Sequence, residues 1–184
     1  MGEDRSVGLL DCRLRDEAAF PATGVRHRDR SFRNSTRCRR ARFTRLDSVE
    51  VDVSALTPGT SLVVTWCGKP VVVRYRTEKE MMDGQAVNLA DLKDAIARNA
   101  NLPATPATDV NRATPGNEAW IVMVQVCTYQ GCIPLAREGD FGGRLCPCHG
   151  SQYDTAGRIR QGPASENMAI PVCRFISDTK IRIG

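Results

Sequence analysis

The chain has 184 residues, 41% of them hydrophobic, and a formal net charge of +5 at pH 7. This length and apolar content suit one domain with a single core. Residues 1–46 carry 12 arginines and 6 acidic residues, a net +6, so the remaining residues sum to −1. Because that larger part is near neutral and has no aromatic residues interleaved with arginine, nucleic-acid binding is not expected.

Residues 1–46 are predicted to form a disordered, arginine-rich tail. Nine arginines lie between Arg26 and Arg45, with Asp29 as the only acid among them. Their mutual repulsion and the low apolar content oppose packing. No apolar run of about 18 residues occurs in the sequence, so no membrane-spanning helix is predicted. Residues 1–20 also lack the pattern of a secretory signal.

Residues 47–184 are predicted to form an all-β domain. Val49, Val51 and Val53 alternate with acidic residues, which is the period of a half-buried strand. β-branched runs at 61–65 and 70–75 flank a short glycine-containing loop and predict a hairpin. Further strands are predicted at 120–126, 170–172 and 180–183, with mostly loops between the first two.

One short amphipathic helix is predicted after the hairpin. Leu89, Leu92 and Ile96 fall at positions i, i+3 and i+7, with Asn88 as the N-cap. Residues 101–117 are rich in Pro, Ala, Thr, Asn and Asp, and they are predicted to form a long surface loop.

Two cysteine-rich loops carry the chemistry. The first reads Cys127-Thr128-Tyr129-Gln130-Gly131-Cys132, and the second, 13 residues later, reads Cys146-Pro147-Cys148-His149-Gly150-Ser151. Thiolates bind soft metals and iron–sulfur clusters, imidazole binds iron or zinc, and ligands on tight turns can converge on one centre. The residues alone therefore predict a metal site and leave zinc and an iron–sulfur cluster both open.

The two loops resemble the cluster-binding boxes of the Rieske proteins of cytochrome bc complexes, C-T-H-x-G-C and C-P-C-H-G-S. The second box matches at every position, and the resemblance runs from about Leu46 to Gly184, including Gly162-Pro163-Ala164. It implies an antiparallel Rieske fold, in which a cluster-binding subdomain at about 121–165 is inserted in a base β-domain.

The resemblance implies a 2Fe-2S cluster with one iron held by two cysteines and the other by two histidines. Carried over by position, Cys127 and Cys146 would bind the first iron and His149 the second. Cys132 and Cys148 would form the disulfide that ties the two loops together in the respiratory branch of the family.

Ser151 and Tyr153 match the family's hydroxyl donors, which hydrogen-bond a bridging sulfide and a ligand cysteine and thereby raise the potential. The family transfers electrons: its head domain oxidises ubiquinol at cytochrome b and reduces a c-type cytochrome, as part of quinol–cytochrome c reductase. His149 would be the catalytic residue that faces the quinol. The resemblance places such a head on the periplasmic or intermembrane-space side of an energy-transducing inner membrane.

Tyr129 stands where the family has its first histidine ligand, and His27, the other histidine, lies in the predicted tail. Tyrosine binds iron as phenolate. Three outcomes stay open: Tyr129 ligates and lowers the potential, the fourth position takes water or stays open, or no cluster forms. The last would leave a redox-silent Rieske-fold module. A zinc module using Cys127, Cys146, His149 and a further thiol is another alternative.

Other departures from the family concern contact surfaces and packing. Gln130 replaces the usual leucine at the loop tip, Arg144-Leu145 stands where a Trp-Phe pair is common, and Ser165 replaces a second proline. The transmembrane helix that family members carry before the matching region is not seen in this sequence.

Overall fold

The computed structural model describes residues 48–184, so the predicted disordered tail at 1–46 lies outside the described residues. The described chain forms three antiparallel sheets, with strand orders β1-β10-β9, β2-β3-β4 and β5-β6-β7-β8. Their bounds are β1 Val49–Asp52, β2 Ser61–Trp66, β3 Lys69–Tyr75, β4 Trp120–Val124, β5 Leu135–Ala136, β6 Gly142–Cys146, β7 Ser151–Asp154, β8 Ile159–Gln161, β9 Cys173–Ser177 and β10 Lys180–Ile183. The all-β antiparallel fold predicted from the sequence is confirmed.

The core is centred on β3 and β4. Val71, Val72 and Val73 of β3 are fully buried, and all five residues of β4 are buried. Burial on both faces explains why these strands read as continuous apolar runs, without alternation. Each buried valine or isoleucine contributes about 1.5–3 kcal/mol relative to exposure.

The β2–β3 hairpin closes through Cys67 and Gly68, whose φ angles of 49° and 69° are both positive. A two-residue turn of this kind matches the right-handed twist of the flanking strands. Aromatic contacts then join the middle sheet to the sheet of β1, β9 and β10. Trp120 stacks on Tyr75 with ring centroids 4.4 Å apart and meets Phe175 edge-on at 5.9 Å.

The helix predicted over Leu89 to Ile96 is wrong, because only a single 3₁₀ turn forms at Leu89–Asp91. Asn88 does cap this turn, but Leu92 is already extended, with φ −87° and ψ 135°. The buried carboxylate of Asp94 accepts hydrogen bonds from the Ile96 and Asn167 backbone N–H groups. These side-chain bonds to the backbone replace helical ones.

The longest helix within residues 48–184, α1 at Glu78–Gln85, was not predicted. Thr77 and Glu80 form a capping box at its start, each side chain accepting from the backbone N–H of the other residue. The sequence Thr-x-x-Glu is the signature of this box. The residues that follow it show only weak apolar periodicity, so the sequence did not predict a helix here. No helix within residues 48–184 is long and apolar enough to span a membrane.

Residues 101–117 are not the surface loop that the composition predicts. They contain the short helix α2 at Asp109–Arg112, which begins at the cap Thr108. Arg112 is fully buried and donates to the carbonyl oxygens of Ala97, Ala156 and Met168. Burial lowers its pKa to about 10, so it stays charged at neutral pH and holds three backbone segments together.

Two strand predictions also need correction. Residues 170–172 form no strand, since Ile170 makes a single bridge to Asn99, and β9 begins only at Cys173. The region predicted as mostly loops contains the four strands β5 to β8. These strands are short and carry glycine, arginine and cysteine, so no alternating apolar pattern marks them.

A buried ion pair links Arg76, the residue that follows β3, to α2, and its removal should destabilise the fold. Arg76 Nη1 lies 2.6 Å from Asp109 Oδ1, with both side chains almost fully buried. Asp109→Ala would leave the guanidinium buried without a counter-charge and should lower the free energy of unfolding by about 3–5 kcal/mol. Urea unfolding monitored by circular dichroism measures this loss.

The exposed pair of Arg182 and Glu50, also 2.6 Å apart, is the matched control. Glu50→Ala should change the unfolding midpoint far less, because water screens this pair. Similar losses in the two variants would contradict the assignment of the buried pair as a structural determinant.

Candidate metal centre

The first cysteine loop leaves the end of β4 and closes on itself. Cys127 N–H donates to the Cys132 carbonyl oxygen at 2.8 Å, and Gly131 N–H donates to the Cys127 carbonyl oxygen at 2.9 Å. Gly131 has a φ of 82°, a conformation that glycine adopts without strain. The turn keeps Cys127 buried while residues 129–131 are exposed.

The second loop connects β6 to β7. Cys146 ends β6, Ser151 begins β7, and the two residues are paired in the antiparallel register. Gly150 N–H donates to the Cys146 carbonyl oxygen at 2.9 Å and closes the turn. Cys146 and Ser151 are buried, whereas Cys148 and His149 lie on the exposed part of the loop.

A disulfide between Cys132 and Cys148 joins the two loops, with Cα atoms 6.8 Å apart. This is the pair that the family resemblance implies. At the exposed tips the rings of Tyr129 and His149 meet edge-on, with centroids 5.1 Å apart. The residue in the first histidine position and the histidine of the second box are thus brought side by side.

Cys127 and Cys146 are free and buried, and their thiols differ in acidity. Burial raises the pKa of Cys127, but hydrogen bonds from the Tyr153 hydroxyl, the Tyr129 backbone N–H and Cys146 outweigh it and lower the pKa overall. Burial raises the pKa of Cys146, and the neighbouring Cys127 thiolate raises it further. Cys127 is therefore the more readily ionised sulfur donor of the pair.

The Tyr153 hydroxyl lies at the centre of this hydrogen bonding. It is 3.3 Å from Cys127 Sγ and accepts from the Thr128 N–H at 3.1 Å. Burial and the Cys127 sulfur raise the pKa of Tyr153, so it remains a neutral donor. Thr128, which sequence reasoning did not single out, bonds this hydroxyl through its backbone N–H and donates its own hydroxyl hydrogen to the Glu166 carbonyl oxygen at 2.7 Å. Its position inside the first box was the only available signal.

The segment Gly162-Pro163-Ala164 packs directly on the second loop. Ala164 N–H donates to Ser151 Oγ at 3.2 Å. A Cβ atom on Gly162 would lie 2.5 Å from the Ser151 Cα atom, and Gly162 has a φ of 95°. Glycine at 162 therefore permits the close backbone contact that covers Ser151.

The sulfur atoms that lie close enough together to bind a zinc ion are not the group predicted from the sequence. Within residues 48–184, the sulfurs of Cys132, Cys146 and Cys148 lie within 4.8 Å of one another. Two of the three are joined in the disulfide and supply no thiolate. A zinc ion at this group would need that bond to be reduced first.

The donor set fits a 2Fe-2S cluster at three of four positions. Cys127 and Cys146 are free sulfur donors, and His149 presents an imidazole on the adjoining loop. At the fourth position the structure offers the phenol of Tyr129, an oxygen donor that requires loss of its proton to bind iron. The set thus matches a Rieske centre in its cysteine half and differs in its histidine half.

Two disulfide-linked loops with free buried thiols and an exposed imidazole define a metal-binding β protein. A comparison with protein-family models matches residues 48–174 to the Rieske [2Fe-2S] domain. The chain belongs to this family, and the cofactor of the family is a 2Fe-2S cluster.

Three relatives are each about 50% identical to this chain over the aligned residues. It is 50% identical over 143 residues to the ubiquinol-cytochrome c reductase iron-sulfur subunit of Rhodobacter capsulatus, covering 74% of this chain and 75% of that protein. The subunit of the same name from Cereibacter sphaeroides is 51% identical over 141 residues, covering 76% and 75%. That of Rhodospirillum rubrum is 49% identical over 144 residues, covering 76% and 72%.

The close contact at Gly162 generates a test of the loop packing. Gly162→Ala combines a strained φ with a backbone clash against Ser151, whereas Gly68→Ala has a positive φ of 69° and open space around its Cβ. We expect Gly162→Ala to lower the free energy of unfolding by about 1–3 kcal/mol more than Gly68→Ala. Thermal unfolding of both variants measures the difference, and equal losses would contradict the packing of this segment on the second loop.

Proposed function

We propose that the chain is the iron–sulfur subunit of a quinol–cytochrome c reductase, transferring single electrons from ubiquinol to a c-type cytochrome. One observation carries this proposal: an exposed His149 stands beside two free, buried cysteines on disulfide-linked loops of a Rieske-family chain. The named relatives are subunits of that reductase, and their identity of about 50% supports the same role here.

The proposed ligands of the first iron are Cys127 and Cys146, and His149 would hold the second iron together with Tyr129 as phenolate. When bound, a 2Fe-2S cluster accepts and returns one electron at a time. Tyr153 donates its hydroxyl hydrogen to the Cys127 sulfur and disperses negative charge there, which favours the reduced state. Ser151 is proposed to act in the same way from its buried position.

His149 is proposed as the catalytic residue because it is exposed while the two thiols are buried. Its ring can receive a hydrogen bond from a ubiquinol hydroxyl and take up the proton as the electron leaves. The two cysteines are buried, so a cluster held there would be shielded from water on its cysteine side. The quinol would thus release its proton and its electron on the same side of the protein, at the exposed loop that carries His149.

The proposed protein partners are cytochrome b, which holds the quinol, and a c-type cytochrome. Both would contact the exposed tips formed by residues 129–131 and 147–150. Gln130 presents an amide at this tip, so its contact with cytochrome b would be more polar than in the family. The proposed location is the energy-transducing inner membrane, with the head on its periplasmic or intermembrane-space side.

We further propose that residues 47–184 are one Rieske domain with a cluster-binding subdomain at about 121–165. All four strands of the sheet β5-β6-β7-β8 fall between these limits and pair only with one another in the described structure. The base is then formed by the other two sheets, and β4 of the middle sheet leads directly into the first cysteine loop of this segment.

A redox-silent Rieske-fold module is the second candidate, and Tyr129 is the observation that favours it. Loss of one imidazole weakens the hold on the second iron unless the phenol replaces it. The two candidates differ in iron content, so a metal measurement separates them.

Dithionite-reduced protein, reconstituted anaerobically, should give a rhombic 2Fe-2S EPR signal with iron near two atoms per chain, the content of one 2Fe-2S cluster. Iron and zinc analysis of the same sample accompanies the spectrum. An EPR-silent sample without iron would reject electron transfer and leave the redox-silent module. Zinc near one atom per chain, with no cluster signal, would instead support the zinc alternative.

Tyr129→His should raise the midpoint potential, because a neutral imidazole stabilises ferric iron less than a phenolate does. We expect the midpoint potential of the variant to be higher than that of the wild type and to lie within the range of about −150 to +300 mV known for Rieske centres. Redox titration followed by EPR measures the change. Tyr129→Phe is the control: it should remove the phenolate-to-iron absorption band, and an unchanged spectrum would show that Tyr129 is not a ligand.

A further inference from the structure

Residues 162–165 form a segment that covers Ser151 and lies outside the strands and helices. In the part of the chain that the structure describes, no backbone–backbone hydrogen bond involves any of these four residues. Their hydrogen bonds are made to two side chains instead. Ala164 N–H donates to Ser151 Oγ at 3.2 Å, and Lys93 Nζ donates to the carbonyl oxygens of Gly162 and Ala164. The covering segment is therefore held by Ser151 on one side and by Lys93 on the other.

The backbone that carries Lys93 is fixed close to the covering segment. The next residue, Asp94, is buried, and its Oδ2 atom accepts from the Asn167 N–H at 2.9 Å. The Asp94 carbonyl oxygen accepts from Asn167 Nδ2 at 3.0 Å. Because Asn167 follows Ala164 by three residues, these two bonds anchor Lys93 beside the stretch of chain that its ammonium group contacts.

The Lys93 ammonium group has no acidic partner within residues 48–184, so the two carbonyl oxygens are its hydrogen-bond acceptors there. An ammonium group has three donors and can bond both oxygens at once. Hydrogen bonds from a charged donor are about twice as strong as those between neutral groups. The side chain is exposed, and water competes for it, so its loss should loosen the covering segment and cost little global stability.

Position 165 gives a reason why the covering segment depends on a side chain from elsewhere. The family resemblance places a second proline at this position, where this chain has Ser165. A proline ring fixes φ at about −65° and stiffens the chain, whereas serine leaves that torsion free. The segment keeps one proline, Pro163, so contacts from outside it, among them that of Lys93, replace part of the lost rigidity.

The position of Ala164 determines how the Ser151 hydroxyl is oriented. Ser151 is fully buried and pairs with Cys146 across the β6–β7 register. The Ala164 N–H occupies one acceptor position of Ser151 Oγ, which leaves the hydroxyl hydrogen for a partner on the other side. Burial raises the pKa of the Cys127 thiol, and hydrogen bonds from Tyr153 and, more weakly, from Ser151 help to lower it overall. Displacement of Ala164 would free this acceptor position and let the Ser151 hydroxyl turn away from Cys127.

We propose that Lys93 is a positioning residue that holds residues 162–164 on Ser151 and thereby keeps the Ser151 hydroxyl directed at the cysteines. Lys93 lies outside both cysteine loops and is not a proposed ligand of the cluster. The holding of the covering segment is a property of the chain itself. Its effect on a reduction potential rests on the proposed function, in which Ser151 favours the reduced state.

Hydrogen–deuterium exchange of the full chain, followed by mass spectrometry of overlapping peptides, tests the positioning directly. Lys93→Met should speed exchange of the Ala164 N–H at least fivefold, because this group loses its fixed acceptor. Peptides from β3 and β4 should exchange as in the wild type. Lys93→Arg, which keeps the charge and the donors, should restore most of the protection. Lys180→Met, which removes an exposed lysine on β10, should leave the covering segment unchanged.

An Ala164 N–H that exchanges at the wild-type rate in Lys93→Met would overturn the proposal. An equal acceleration in the peptides from β3 and β4 would also overturn it, because Lys93 would then stabilise the whole fold and not this segment.

Redox titration followed by EPR tests the consequence for the site in protein that holds a 2Fe-2S cluster. Lys93→Met should lower the midpoint potential, and Lys93→Arg should keep it near the wild-type value. Salt screens the direct effect of a charge at an exposed group, so a lower potential that persists at high salt supports positioning. Equal potentials of the wild type and Lys93→Met at high salt would overturn the link to Ser151. Failure to form a cluster would reject the proposed electron transfer, and the exchange measurement would still decide the role of Lys93.

Discussion

The register between β6 and β7 is the constraint on which the site depends. Cys146 pairs with Ser151, and Arg144 pairs with Tyr153, so these four side chains share one buried face of the sheet. The Tyr153 hydroxyl can then reach Cys127 on the other loop. A slip of one residue would turn this whole set toward solvent. The hairpin thus fixes the hydrogen bonding of the thiols before any metal binds.

The sequence identified the strands with strong β-branched patterns and missed the elements that depend on distant contacts. β2 and β3 could be predicted because each is a short run of β-branched residues and the two pair through a tight turn. The helix expected near Leu92 fails since the Asp94 carboxylate binds Asn167, a residue far along the chain. Likewise, no local sequence pattern predicts the burial of Arg112, because its carbonyl partners come from three separate segments of the chain.

For the site, residue types alone identified a metal centre but could not pair its cysteines. Four cysteines in two loops allow three disulfide connectivities, and sequence spacing does not choose among them. The resemblance to the Rieske boxes implied the pairing of Cys132 with Cys148 that the structure contains. Thr128 and Lys93 could not be inferred in this way, since their importance lies in side-chain contacts with distant segments.

The two halves of the site are built differently, and this determines what the tyrosine changes. Cys127 and Cys146 are integrated into the core, whereas Tyr129 is 44% exposed and meets His149 edge-on at the loop tips. The loop is held by the backbone bonds of Cys127 and by the disulfide, neither of which involves the side chain at 129. Exchange of imidazole for phenol there leaves the packing and the loop closure in place. The exchange therefore changes the set of atoms that can bind the second iron and, through these ligands, the reduction potential of a bound cluster.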